Sequence, residues 1–190
     1  MSKKLILLIG APGSGKTSNA TLVTEKYVKS ISSYSTGDLI QQEIQNKTAV
    51  GNISKYYVEK GDLIPTGIVL ELIVETVKNA PTDVVLLDGF PGKEKELQYF
   101  SDYIFNHNEI ELVSVIEVKV SHATAKERSL ASDISEEVFE HKMESYIRTI
   151  QDIEKYYEDK DKLKVIDGEK DLDAVASDIS AHLESVFTSL

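Results

Sequence analysis

The chain contains no cysteine. Disulfides and thiolate metal sites are excluded, so the fold has to stand on packing alone, which suits a cytoplasmic protein. No apolar run approaches the roughly 20 residues needed to cross a bilayer. The run Leu5 to Ile9 is too short to span, and Gly10-Ala11-Pro12-Gly13 interrupts it before a signal-peptide core can form. Arginine is nearly missing: among 21 Lys and Arg residues only Arg128 and Arg148 are arginines. With 32 acidic side chains the net charge is -11, and no local basic patch offsets it, so neither nucleic acid nor a membrane is expected as a partner. The four histidines are scattered without zinc-ligand spacing.

What is present fits one substantial domain. The 190 residues, 41% of them hydrophobic, suffice for a buried core, and no repeat, low-complexity tract or linker divides them. Leu5 to Ile9, Val84 to Leu87 and Val113 to Val120 read as strands buried on both faces, with weaker candidates at Ile31 to Tyr34 and Leu163 to Ile166. Helical periodicity runs from Lys16 to about Val28, from Thr66 to Lys78 and from Glu136 to Tyr157. Strand and helix alternate, which predicts an α/β fold with a parallel sheet and right-handed crossovers. The stretch Thr36 to Pro65 holds only helices and turns, as a small flap on the core would. The acidic residues of the last third alternate with lysines like a solvated helix face, and the recurring tyrosines, Tyr146 and Tyr157 among them, read as packing.

Gly10-Ala11-Pro12-Gly13-Ser14-Gly15-Lys16-Thr17 matches G-x-x-x-x-G-K-[ST] between a predicted strand and a predicted helix. Glycines there let the backbone curl until several N–H groups point inward, and the helix N-terminus adds partial positive charge. A phosphate chain is the expected occupant. Lys16 is placed to reach the β- and γ-phosphates and the Thr17 hydroxyl to ligate Mg²⁺, which implies Mg-ATP as the bound nucleotide.

Four further markers follow in order: Ser35-Thr36-Gly37-Asp38-Leu39, Gly61-Asp62-Leu63-Ile64-Pro65, Asp88-Gly89-Phe90-Pro91 and Ile166-Asp167-Gly168. With the glycine-rich loop they cover nearly the whole chain, which thereby resembles the adenylate kinases, most closely those with a short lid. The resemblance implies a P-loop NTPase fold with a five-stranded parallel sheet flanked by helices. It also implies a helical flap for the nucleoside monophosphate at about 35–65 and a vestigial lid at about 128–136, within a single domain 1–190. A monomer is expected. Thr36, Gly37 and the Ile64 carbonyl would line the acceptor base, with Gly89 beside it, and Asp38 and Asp88 would organise the Mg²⁺ water shell. Arg128 would pack on the ATP adenine, whose other edge the carbonyls near Lys170 would touch.

Several positions depart from the family pattern. Gln41 and Gly92 stand where the family grips the monophosphate with arginine, Glu96 where it reads adenine with glutamine, and Ser132 and Lys142 where it places further arginines. Phosphoryl transfer depends on cations that neutralise the transferring group, so these losses imply weak or altered transfer to a monophosphate, AMP by family default. Lys142 is the one replacement that retains charge, without the planar fork of a guanidinium. The alternative reading is an inert ATP-binding relative that reports nucleotide occupancy to a partner.

Overall fold

A computed structural model describes residues 2–60 and 64–187. The marker residues Gly61, Asp62 and Leu63 lie outside the described residues. Five strands, β1 (Lys3–Ile9), β2 (Ile31–Ser35), β3 (Val84–Asp88), β4 (Ile110–Lys119) and β5 (Leu163–Asp167), form one sheet in the order β2-β3-β1-β4-β5. Every pairing is parallel. The α/β expectation of a five-stranded parallel sheet flanked by helices holds.

Among the described residues eight helices connect and cover it: α1 (Lys16–Lys26), α2 (Thr36–Gln45), α3 (Ala49–Lys60), α4 (Thr66–Lys78), α5 (Glu94–Asn106), α6 (His122–Ala131), α7 (Glu136–Glu158) and α8 (Leu172–Val186).

Side chains alternate across the strands, so each face gathers its own core. Leu5, Leu7, Ile9, Val85 and Leu87 pack on one face against Ile73 and Val77 of α4, Leu97 and Phe100 of α5, and Ile153 and Tyr157 of α7. Ile6, Leu8, Leu86, Ile116 and Val118 pack on the other against Ala20 and Val23 of α1 and Ile179 and Leu183 of α8. Because β1 and β3 are covered on both sides, Leu5 to Ile9 and Val84 to Leu87 are continuously apolar.

Boundaries shift by one to three residues from the sequence reading, and two of the shifts have a visible cause. Helix α1 stops at Lys26, before Val28: Ser30 N–H and Ile31 N–H both bond the Tyr27 carbonyl, at 2.8 and 2.9 Å, and the Tyr27 hydroxyl donates to Glu184 on α8. The chain turns there, and Val28 is left 72% exposed. Strand β4 begins at Ile110, earlier than Val113, because Lys3 N–H reaches the Glu109 carbonyl at 2.8 Å and the ladder to β1 starts at that point. Its register then slips: Leu5 faces Leu112 but Ile6 faces Ser114, so Val113 is passed over as a bulge.

The stretch after β2 is helical as expected. Ser35 caps α2 by accepting from Asp38 N–H, and α3 lies so close to α2 that a Cβ on Gly51 would sit 1.9 Å from the Glu43 carbonyl oxygen. From Arg128 to Glu136 the chain makes the last turn of α6 and a short connection into α7, closed by Asp133 N–H to Leu130 O and Ile134 N–H to Ser129 O.

Candidate active site

The five strands end together, and the turns that leave their C-terminal ends build the site, as in parallel open sheets generally. Between Ile9 and Lys16 the backbone curls tightly. Gly13 has φ +76°, and a Cβ there would lie 2.2 Å from the Ala125 carbonyl and 2.5 Å from Ser129 Oγ, so the loop rests directly on α6. Gly10 approaches β4 as closely, 2.5 Å from the Val118 carbonyl at its missing Cβ. Beneath the loop Ala11 packs with Ala125, Phe139 and Met143. Gly15 starts α1 in the left-handed region with no side-chain cap, which leaves the first-turn N–H groups without helical acceptors and open to an anion.

The Lys16 ammonium folds back over this loop. It donates to Gly10 O at 2.9 Å, Ala11 O at 2.8 Å and Ser14 Oγ at 3.3 Å. Burial pushes it below the usual lysine value, against which the Asp88 charge works. The Thr17 hydroxyl donates to Asp88 Oδ2, while Oδ1 of the same carboxylate is buried without a partner among the described residues. Burial raises the Asp88 carboxyl and nearby Asp38 adds to this, whereas Lys16 and the Thr17 bond hold it down. A hydroxyl beside a carboxylate with one unsatisfied oxygen is a hard donor set of the kind Mg²⁺ takes together with phosphate and water oxygens. No group of three His, Asp or Glu among the described residues holds a metal by itself, so the protein would supply only part of the shell.

Two cavities meet at the loop. The first, of about 480 Å³, is lined by Gly13, Gly15, Lys16, Thr17, Arg128 and Lys170, with Ser129, Ser132 and Val175 behind them. Arg128 spans it by donating to Gly168 O at 2.8 Å and Lys170 O at 3.3 Å, while the Lys170 ammonium is held by Asp178 at 2.7 Å. The second, of about 510 Å³, is lined by Gly10, Pro12, Gly13, Lys16, Gly89, Gly92 and one face of α7: Lys142, Ser145, Tyr146, Thr149, Ile150 and Ile153. Gly13 and Lys16 line both cavities.

The residues expected on the acceptor side fall in different places. Gly89 and Lys142 line the second cavity, and Thr36 donates to the Asp88 carbonyl at 3.1 Å, which ties the start of α2 to the end of β3. Gly37, Asp38, Gln41 and Ile64 line neither cavity, and Ile64 packs toward the core. Glu96, expected at the acceptor base, is turned inward. It is 6% exposed, accepts from Gly92 N–H at 2.8 Å and lies 3.6 Å from the Lys93 ammonium.

One cluster escaped the sequence reading. Glu117, on β4 level with Ile9, is fully buried, and Tyr146, Glu154 and Lys119 surround it. The signal was a charged residue inside the apolar run Val113 to Val120. Its partners come from α7, which only the fold brings near.

The family model described as adenylate kinase matches residues 8–162. An adenylate kinase of Sulfurovum sp. (strain NBC37-1) is 40% identical over 194 aligned residues, covering 96% of this chain and 98% of its own length. Those of Helicobacter hepaticus and Campylobacter jejuni subsp. jejuni are 37% and 36% identical, covering 96% and 97% of this chain and 98% of each relative. Phosphate loop, paired cavities and whole-length similarity coincide, and the chain belongs to the adenylate kinase family.

Proposed function

We propose that the protein transfers the γ-phosphoryl group of Mg-ATP to a nucleoside monophosphate, AMP by family default, with weak or altered turnover. The observation that carries this is one loop, with Lys16 at its centre, forming the wall between two cavities large enough for a donor and an acceptor. The acceptor's phosphate oxygen would attack the γ-phosphorus as the bond to the β-bridging oxygen breaks. Lys16 would exchange the Gly10 and Ala11 carbonyls for phosphate oxygens, as the better-charged acceptors. Thr17 and Asp88 would hold Mg²⁺, with Asp38 acting through water, and when bound the ion would neutralise phosphate charge. The N–H groups of residues 10–17 would cradle the phosphates, Arg128 and the Gly168 to Lys170 carbonyls would border the adenine, and Lys142 would face the transferring group. Thr36, Gly37, Gln41, Ile64 and Gly89 are assigned to the acceptor. The single domain 1–190 would use α2 and α3, at about 35–65, as the acceptor flap and the turn at about 128–136 as what remains of the lid.

A specific observation favours the second reading, an inert nucleotide-binding relative. Arg128, the one arginine on either cavity wall among the described residues, already donates to two backbone carbonyls, and Arg148 pairs with Glu144 with its side chain 70% exposed. Neutralisation then rests on Lys16 and Lys142. Removing one such contact costs about 10²- to 10³-fold in rate. A coupled assay with Mg-ATP and each nucleoside monophosphate decides between the readings: turnover on any of them supports the kinase, and nucleotide binding without turnover supports the inert relative.

A further inference from the structure

Glu117 sits where a charge is hardest to hold. It lies on β4 beside Ile9, the last residue before the phosphate loop, and it is 0% exposed. Its other strand neighbour is Val165 of β5, so neither adjacent strand offers a countercharge at that level. Among the described residues three polar groups face it. Tyr146 of α7 donates to Oε1 at 3.3 Å, the Lys119 ammonium is 3.8 Å from the same oxygen, and the Glu154 carboxyl of α7 meets that ammonium at 2.6 Å. No described residue donates to Oε2. Lys119 does not serve Glu117 alone: it binds Glu154 at 2.6 Å, lies within the field of Glu158, and is 56% exposed on its side chain.

Two carboxyl groups that share one ammonium, one of them fully buried, cannot both ionise cheaply, and a neutral acid supplies the donor that such a pair otherwise lacks. The helix on the far side of the contact is the one that presents Lys142, Ser145, Tyr146 and Thr149 to the second cavity. We propose that Glu117 is a positioning residue: as a neutral acid it donates to Glu154 and accepts from Tyr146, which seats α7, and with it Lys142, beside the phosphate loop, and loss of that proton unseats the helix. The part that concerns transfer rests on the kinase reading, while the seating does not.

Burial, with the Glu154 carboxyl second, raises Glu117 from the ordinary 4.5 to about 7. Glu154 is held low: burial works the other way, but Lys119 and the Glu117 proton prevail. Since the folded value lies above the unfolded one, the stabilising effect is complete below about pH 4.5 and is lost as pH rises through about 7. Between pH 6 and pH 8 the folded state therefore loses about a factor of ten in its equilibrium against opening.

The test is amide hydrogen exchange of the full chain at pH 6 and pH 8, read over α7 and corrected for intrinsic chemical exchange. Wild-type protection should fall about tenfold at pH 8. Glu117→Gln, whose amide both accepts from Tyr146 and donates to Glu154, should keep its pH 6 protection at both values. Equal protection at both pH values in the wild type, or the same fall in the Gln variant, would overturn the proposal. If Glu117→Gln does not fold, Tyr146→Phe decides. Losing a donor to the carboxylate should move the fall to higher pH, and an unmoved fall would be equally damaging. Where turnover exists, wild-type kcat should fall in parallel while KM for ATP stays level, and Glu117→Gln should abolish the fall. Absence of turnover together with a pH-dependent α7 would sink the kinase reading and leave the seating supported.

Discussion

Restoring the missing cations is the sharpest probe of what the acceptor side has lost. The variant is Gln41→Arg, Gly92→Arg and Glu96→Gln together. Among the described residues a Cβ on Gly92 would meet Glu96 Oε2 at 3.7 Å and Gly89 O at 3.9 Å, both ordinary contacts, and no left-handed φ stands in the way, so a side chain can start there without backbone strain. The third change is needed because a new guanidinium at 92 would otherwise be drawn to the Glu96 carboxylate beside it. After Glu96→Gln the amide oxygen would still accept from the backbone N–H of residue 92, which the Glu96 carboxylate holds now at 2.8 Å. What the change gives up is the Lys93 pair at 3.6 Å, a partly exposed contact contributing about 0–1 kcal/mol. Each charge-assisted contact to phosphate contributes about 1.5–3 kcal/mol, so two should tighten AMP binding by at least about 3 kcal/mol, or about 100-fold. Calorimetric titration of AMP into parent and variant measures this. A gain below about threefold would refute the reasoning and show that the flap no longer carries monophosphate geometry, whatever cations it bears. Turnover should recover less than binding, since no cation is added near residues 128–136.

Lys16→Ala should abolish the thermal response to Mg-ATP. In the wild type, nucleotide at 100 times its Kd contributes about 2.7 kcal/mol, which for a chain of this size raises Tm by about 5–10 °C in a thermal-shift scan. Gly51→Ala forces α2 and α3 apart, because its Cβ would overlap the Glu43 carbonyl at 1.9 Å. Overpacking of this kind costs about 1–3 kcal/mol, and hydrogen exchange should show residues 36–60 opening while the sheet stays protected. Tyr157→Phe removes a buried hydroxyl that has no partner among the described residues and whose phenol burial pushes upward. An orphaned buried donor costs about 1 kcal/mol or more, so Tm should rise by about 2–4 °C, and a fall would mean the hydroxyl is satisfied after all.

How legible this was follows from where the physics is local. A phosphate loop needs its glycines, lysine and hydroxyl on contiguous backbone, so residues 10–17 were readable from their order alone. The buried strands were readable because both faces demand apolar residues, which left β1 and β3 with no alternation to misread. The start of β4 was not. Ile110-Glu111 follows the polar Asn108-Glu109, and only pairing with Lys3 and Lys4 makes it the start of the strand. Glu96 was assigned to a base on its position in a motif, but its inward turn depends on where the Gly92 N–H points after Pro91. Lys142 and the cavity face of α7 lie more than fifty residues beyond Asp88 in the chain. Nothing local says that they meet the loop.

The skipped residue at Val113 decides which chemistry reaches α7. Below the bulge, Ile110 and Leu112 point to the face covered by α4, α5 and α7. Above it, Val115 does, while Ile116 and Val118 point to α1 and α8. An unbroken strand would have kept even-numbered residues toward α7 throughout. Ile116 would then sit under the helix and the Glu117 carboxylate would be buried against α1 and α8, away from Tyr146 and Glu154. One extra residue in a strand thus acts as a change of reading frame, written in backbone geometry instead of codons. It exchanges an aliphatic contact for an acid without altering a single side chain.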